Sequence, residues 1–424
     1  MKLERSTAVI GFVVAGLVAV WLQHVIIPFT TPYWGLFDSQ LDLDVYRAGA
    51  QVFLDGGALY DAKLLGQMDF TYAPISMGVF IPLALMGTSF AHVLWSVGVF
   101  VALYFVIVLG FRSLGHDTTW RLRLIAGSLV AVSTLLEPVR STIWFGQINV
   151  FLMLVICVDL LRPEGSKLRG VGAGITAGIK LTPLMFILYF GALRQWRTAL
   201  GIVGGFAGSV LIGFVVMPTE SWKFWTGTLF DSNRVSSPHT VGNQSIRGAL
   251  ANIGETDHPS TAAWLTLSAF VLLLGMAAAV LAHRRGQELL ALTLVGMTSC
   301  AVSPVAWGHH WVWFVLLLVV AVHHVSEAAS AVRRAGIALL GAACFLSAVA
   351  WRTHLAYPIW YANRSVTEAY LTGLFFKHWG PAIGWFAVQP YNLVLVVASA
   401  VTIGLCARRP ARAGPAVAAV GARR

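Results

Sequence analysis

The run Gly170-Val-Gly-Ala-Gly-Ile-Thr-Ala-Gly-Ile-Lys180-Leu-Thr-Pro183-Leu-Met-Phe-Ile-Leu-Tyr-Phe-Gly-Ala-Leu193 is long and apolar enough to cross a bilayer once, yet carries an ammonium group and a proline in its middle. A lysine at bilayer depth is expensive, and proline removes a helical hydrogen bond. Two short segments, 170–180 and 181–193, joined as a hairpin or broken helix satisfy both constraints. The choice decides the topology, because a single straight span would move every later loop to the other side. With the hairpin, the short segments carrying Arg112, Arg121 and Arg123, then Arg162, Lys167 and Arg169, Arg194 and Arg197, Arg284 and Arg285, and Arg333 and Arg334 all fall on one side. So do Lys2, Arg5 and the basic tail 408–424. Positive charge on short loops marks the cytoplasmic side, so both termini are expected there.

Composition agrees. Of 424 residues 57% are hydrophobic and only 11% charged, with a mean hydropathy of +0.75, too few polar groups to cover a water-soluble domain. The expected fold class is all-α, a single polytopic membrane domain over 1–424. Spans are expected at 7–27, 91–112, 122–137, 147–162, 170–180, 181–193, 199–217, 261–283, 288–305, 309–325, 335–351 and 388–407, about twelve with a range of roughly 10–13. The first follows Lys2 and Arg5 like a signal peptide but lacks a small-residue cleavage site, and reads as a permanent anchor. A net charge of +11 does not indicate nucleic acid, because the basic residues sit in small groups at span ends. Cys157, Cys300, Cys344 and Cys406 lie within or at the ends of apolar runs, without metal-ligand spacing, so neither a disulfide framework nor a metal site is expected.

The longer, motif-rich segments then converge on the outer face: 28–90, 138–146, the tip near Lys180, 218–260, 303–310 and 352–387. The segment from Tyr72 to Met86 is short and proline-punctuated, hence interfacial or re-entrant. The loop 28–90 holds Asp38, Asp42, Asp44, Asp55, Asp61 and Asp69, six of the chain's 18 acidic residues. Apolar residues recur at Leu41, Val45, Ala48, Val52 and Phe53 and stop at Asp55-Gly56-Gly57, which predicts an amphipathic helix on the membrane surface. Two readings of its start stand: Ser39 as N-cap with Asp42 as N3 in a capping-box variant, or Asp42 and Asp44 as reactive carboxylates. Glu137-Pro-Val-Arg140 reads as a local ion pair. His323 and His324 fall at the cytoplasmic end of their span and away from any outer site.

The blocks Asp42-Leu-Asp44-Val-Tyr46-Arg-Ala-Gly-Ala, Leu54-Asp-Gly-Gly-Ala-Leu-Tyr60-Asp61, Phe70-Thr-Tyr72-Ala-Pro74, Phe145-Gly-Gln147-Ile-Asn149, Gly178-Ile-Lys180-Leu-Thr-Pro183, Gly242-Asn243-Gln244-Ser245 and Ser303-Pro304-Val-Ala-Trp307-Gly-His309-His310 occur in order and extend to about residue 325. Together they resemble the actinobacterial polyprenyl-phosphomannose-dependent α-1,2-mannosyltransferases, membrane glycosyltransferases of the GT-C class. Ala73, after the F-x-Y of that pattern, is a mild departure. The resemblance implies Asp42 as general base, with Asp44, at a variable position, as second choice. A positioned carboxylate suits an acceptor hydroxyl that must lose its proton as it attacks an anomeric carbon. For the departing polyprenyl phosphate the candidates are His309, His310, Lys180 and Arg247. The histidines also read as satisfied interfacial residues. For sugar or acceptor contacts they are Tyr46, Gln147, Asn149, Asn243, Gln244 and Trp307; Asn243 and Gln244 read equally as turn caps, and Trp307 as an interface aromatic.

The expected activity is inverting α-1,2-mannosyl transfer from polyprenyl-phosphate-mannose to a mannosylated envelope lipid such as a phosphatidylinositol mannoside, lipomannan or lipoarabinomannan. It would take place on the outer face of the plasma membrane, without cofactor or metal, with other envelope glycosyltransferases as possible partners. Arabinofuranosyl transfer from the related polyprenyl-phosphate-arabinose is the near alternative. A transporter or flippase is the distant one, disfavoured because the polar motifs cluster on one face and no internal repeat is evident.

Overall fold

The computed structural model describes residues 3, 5–231, 234, 235, 237–357, 359–361 and 364–407. Lys2 and the basic tail 408–424 lie outside the described residues. The first span forms α1 (Ser6–Ile26), and the polar segment after it folds into α2 (Leu41–Leu54), a 3-10 turn at Pro74–Ser76 and α3 (Met77–Ala84). There follow α4 (Thr88–Ser113), α5 (Trp120–Ser133), and a pair bent by 116°, α6 (Glu137–Phe145) and α7 (Asn149–Leu160). Next come α8 (Val171–Ile179), α9 (Met185–Ala192), α10 (Trp196–Val216), α11 (Pro218–Thr226) and α12 (Ile246–Ile253). The last third holds α13 (Thr261–Arg284), α14 (Glu288–Val302), α15 (Phe314–Glu327), α16 (Ala331–Ser347), α17 (Pro381–Ala387) and α18 (Pro390–Ala407).

Two small antiparallel sheets add to the all-α expectation. Strand β1 (Arg352–Leu355) pairs with β4 (Ala369–Thr372), placing Arg352 opposite Thr372, and between them β2 (Ile359–Tyr361) pairs with β3 (Arg364–Val366).

Among the described residues five helices, α1, α4, α10, α13 and α18, are long and apolar enough to cross a membrane, and the bent pair α6–α7 brings the number to six at most. The apolar side chains these helices expose, among them Leu17, Leu200 and Leu273, suit a membrane protein. By contrast α14 is buried along its whole run from Leu289 to Ala301. A helix wrapped by protein on all sides needs an apolar surface all round but not the full bilayer length.

The segment 170–193 turns back on itself. At its start the Arg169 guanidinium donates to Gln195 Oε1 at 2.9 Å and stands 5.0 Å from the Phe190 ring, so both feet of the segment meet. Helix α8 climbs along α10 in the same direction: a side chain at Gly174 would meet the Ile202 carbonyl at 2.2 Å, and one at Gly205 the Val171 carbonyl at 2.3 Å. Lys180 is extended and ends α8; Thr182–Leu184 form a 3-10 turn, and α9 descends to Tyr189, which donates to Glu288 at the start of α14. Asp159 anchors the hairpin from α7. Its carboxylate accepts the backbone N–H groups of Gly170, at 3.0 Å, and Ala173, at 2.9 Å, at the start of α8. The His116–His323 pair, 2.9 Å apart, belongs to this same end, away from Lys180, because Gly110 of α4 packs on Leu289.

Helix α2 departs from its expected start. Ser39 does not cap it; Gln40 stands at the N-cap in a left-handed conformation, with its side chain turned to His92 O and Ser96 Oγ. The deepest positions are Leu43, Tyr46 and Ala50, packed among loop residues such as Leu59, Phe70 and Phe80. The expected apolar residues pack inward too, Leu41 and Val45 buried and Ala48, Val52 and Phe53 against the core, while the loop adds cover over the rest of the helix.

Candidate functional site

Helix α2, the α6–α7 junction, the hairpin tip and the 308–310 turn meet at one end of the bundle. Asp42 lies in the first turn of α2 and is half-buried. Gln147, in the α6–α7 bend, donates from its Nε2 to Asp42 Oδ2. The oxygen of that amide, Gln147 Oε1, lies 3.1 Å from the Tyr46 hydroxyl, 3.2 Å from the Tyr72 hydroxyl and 3.4 Å from Asn149 Nδ2. Asn149 also donates to the His309 carbonyl at 2.9 Å and accepts from Lys180 Nζ at 2.9 Å. The Lys180 ammonium stands 5.6 Å from the centre of the Tyr72 ring. Asp42, Tyr46, Gln147, Asn149, Lys180 and the backbone of His309 therefore form one connected network.

Burial raises the Asp42 carboxyl from its ordinary 3.8 to about 6, against the opposing pull of the Gln147 hydrogen bond and the Lys180 charge. Such a group is ionised near neutrality and a better proton acceptor than an exposed aspartate. Burial raises the Tyr46 and Tyr72 hydroxyls as well, which leaves them neutral hydrogen-bond donors.

Beside this network a small cleft takes polar groups from Asn149, Lys180 and His310 and apolar ones from Met153, Ile156 and Phe186. His309 packs its ring 5.5 Å from Phe145, and its Nε2 is buried without a partner among the described residues. Behind the histidine turn, the buried Glu137 carboxylate accepts from Ser141 Oγ and the Tyr391 hydroxyl, both at 2.5 Å. It lies so close to Gly308 that a side chain there would approach Oε2 to 2.2 Å. The expected local partner of Glu137, Arg140, sends its guanidinium to the Trp34 carbonyl at 3.0 Å.

Other candidate residues stand apart. Asp44, two positions along α2, turns to His92 Nε2 at 2.8 Å and Arg47 at 3.5 Å. Arg47 in turn donates to the Leu83 and Met86 carbonyls and to Thr88 Oγ1, which ties α2 to the end of α3. Arg247 lies over the Trp264 ring at 5.2 Å. The Asn243 and Gln244 amides serve the backbone: Asn243 Oδ1 accepts from Ala306 at 3.1 Å and Ser245 at 3.3 Å, and Gln244 Nε2 donates to the Val388 carbonyl at 2.9 Å. Trp307 pairs through its backbone with Asn243 and packs on Gly242. Among the described residues no group of three or more His, Cys, Asp and Glu side chains is arranged to hold a metal. Tyr72, inside the Phe70–Pro74 block, is a site residue the sequence does not single out, and Glu137 reads from sequence alone only as half of a local pair.

A helical membrane protein with a polar, carboxylate-bearing network at one end of its bundle is the class that fold and site define. Residues 70–304 match the model of glycosyltransferase family 87, more than half of the chain, and the chain belongs to that family. The match takes in Tyr72, Gln147, Asn149 and Lys180 and starts after Asp42.

Particular relatives are also clear. The chain is 36% identical over 303 residues, 66% of its length and 70% of the relative's, to a Mycobacterium tuberculosis protein named polyprenol-phosphate-mannose-dependent alpha-(1-2)-phosphatidylinositol mannoside mannosyltransferase. A Mycolicibacterium smegmatis protein of the same name is 33% identical over 68% of this chain and 70% of its own. A second protein from that organism, named for a phosphatidylinositol pentamannoside acceptor, is 31% identical over 82% of this chain and 85% of its own. No solved structure matches.

Proposed function

We propose that the protein is an inverting α-1,2-mannosyltransferase that moves mannose from polyprenyl-phosphate-mannose to a phosphatidylinositol mannoside-type lipid. The observation that carries the reading is the network in which a half-buried Asp42 is joined through Gln147 and Asn149 to Lys180, in a chain whose relatives bear that activity in their names. The acceptor oxygen attacks C1 of the mannosyl group as the bond from C1 to the phosphate oxygen breaks. The acceptor's proton passes to Asp42. The electron pair of the broken bond leaves on polyprenyl phosphate, whose charge Lys180 and the His309–His310 turn receive. One base suffices for a single displacement with inversion, and no step calls for a metal.

The amphipathic reading of α2, about twelve passes, cytoplasmic termini and a site on the outer face of the plasma membrane complete the proposal, with 1–424 as one domain and 28–90 as its catalytic loop. Both feet of the 170–193 hairpin meeting at Arg169 and Gln195 support the pass count, and the arginine-bearing loops support the orientation. The decisive test uses membranes from cells making the wild-type or Asp42→Asn chain, supplied with labelled polyprenyl-phosphate-mannose. Transfer to a phosphatidylinositol mannoside acceptor is expected from the first and not from the second. Labelled polyprenyl-phosphate-arabinose in parallel distinguishes the two sugars.

A further inference from the structure

We propose that Asn149 and Gln147 are positioning residues, a two-amide relay whose polarity is imposed by Lys180 and delivered to Asp42, and that neither contacts the sugar. The inference rests on Asp42 as the base. Its logic is a matter of donors and acceptors. An ammonium group only donates, so Asn149 must turn its oxygen to Lys180, as it does at 2.9 Å. The nitrogen of the same amide then faces the other way and spends its two hydrogens on the His309 carbonyl and Gln147 Oε1.

Gln147 is fixed in turn. Its oxygen takes the hydrogen of Asn149 and that of Tyr72, while the Tyr46 hydroxyl, 3.1 Å from both that oxygen and the Tyr72 oxygen, has one proton for either. With donors crowded at Oε1, Gln147 Nε2 has one place to go, Asp42 Oδ2. A flip of Asn149 would set its nitrogen against Lys180 and its oxygen against the His309 carbonyl and Gln147 Oε1, and a flip of Gln147 would set its nitrogen against the tyrosine and Asn149 donors and its oxygen against the Asp42 carboxylate, inside a buried network where unmade hydrogen bonds are costly. The relay thus holds one carboxylate oxygen and leaves Oδ1, which has no hydrogen-bond partner among the described residues, to meet the acceptor hydroxyl. The titratable groups facing Asp42 are Lys180 from the hairpin tip, Tyr46 from its own helix and Tyr72 from the segment before the 3-10 turn. Asp44 is directed to His92 instead.

The test is the pH profile of kcat/KM for mannosyl transfer by the full-length protein in membranes, comparing wild type with Gln147→Leu, Gln147→Glu and the double variant Tyr46→Phe, Tyr72→Phe. Losing the Gln147 donor is expected to move the acid limb upward, Gln147→Glu to move it furthest, and the tyrosine variant, which keeps Gln147 but frees its amide, to move it the same way by less. A sugar-binding Gln147 would instead raise the acceptor KM with the acid limb unmoved, and that result overturns the proposal. If the Gln147 variants are not recovered folded, the tyrosine variant alone decides. Asp42→Asn assayed alongside separates the two claims: transfer at the wild-type rate removes the base reading and the relay with it, whereas a dead Asp42→Asn with unshifted Gln147 variants removes the relay only.

Discussion

Replacing Asp42 by asparagine should cut turnover by orders of magnitude and make the protein more stable. The fold raises this carboxyl from 3.8 to about 6, so ionisation, which the reaction needs, works against the folded state. The sign follows from linkage: a group whose pKa is raised on folding adds stability below its unfolded value and loses that contribution as pH climbs through the folded value. Above about pH 6 the ionised Asp42 therefore weighs against the fold by at most about 3 kcal/mol, at 1.36 kcal/mol per tenfold change in proton affinity. Asparagine keeps an oxygen for Gln147 Nε2 and carries no charge. Thermal unfolding of the detergent-solubilised protein should show Asp42→Asn more stable than wild type at pH 7.5, with the gap closing as pH falls towards 4. Transfer assayed in membranes should drop by roughly 10² to 10⁴, the usual worth of a general base. A variant that turns over normally, or one less stable than wild type at pH 7.5, would refute the reasoning.

The other expectations are narrower. Asp44→Asn removes only a partly exposed contact with His92 and Arg47, so it should lower stability by less than about 1 kcal/mol and keep transfer near the wild-type rate in the same membrane assay. Lys180→Met deletes a charged partner worth about 1.5–3 kcal/mol, and steady-state kinetics should show the donor KM rising by roughly one to two orders of magnitude. Gly308→Ala drives a methyl group onto the Glu137 carboxylate and should cost about 1–3 kcal/mol, read as a lower unfolding temperature together with reduced transfer. Transfer should proceed undiminished in membranes washed and assayed with a chelator.

What was legible in the sequence follows from what is local. Lys180 and Pro183 break an apolar run whatever surrounds them, and the fold breaks there. The blocks around Asp42, Gln147, Asn149 and Lys180 carry their residue types openly, and they meet in one network. Partnerships that cross the chain were hidden. No local pattern says that Asp159 would accept the backbone of Gly170 and Ala173, that Glu137 would find Tyr391, or that 352–372 would pair as strands. The side chains of Asn243 and Gln244 were open to two uses; their bonds to Ser245, Pro238 and Val241 are local turn contacts, but those to the backbone of Ala306 and Val388 cross the chain, and no spacing of residues foretells them. Gln40 took the cap position from Ser39 because its side chain reaches α4, again a contact between distant parts.

The hairpin that carries Lys180 is held at its feet, where Arg169 bonds Gln195 and the Leu160 carbonyl and lies 3.8 Å from Glu288, at the far end of α8 from the lysine. A nine-residue helix is a stiff strut about 13 Å long, so a tilt at the base becomes a displacement at the tip. Lesions at Arg169 or Gln195 should thus surface as altered donor affinity although they touch no substrate atom, and a mutational survey confined to the neighbourhood of the reacting groups would overlook half of what sets their geometry.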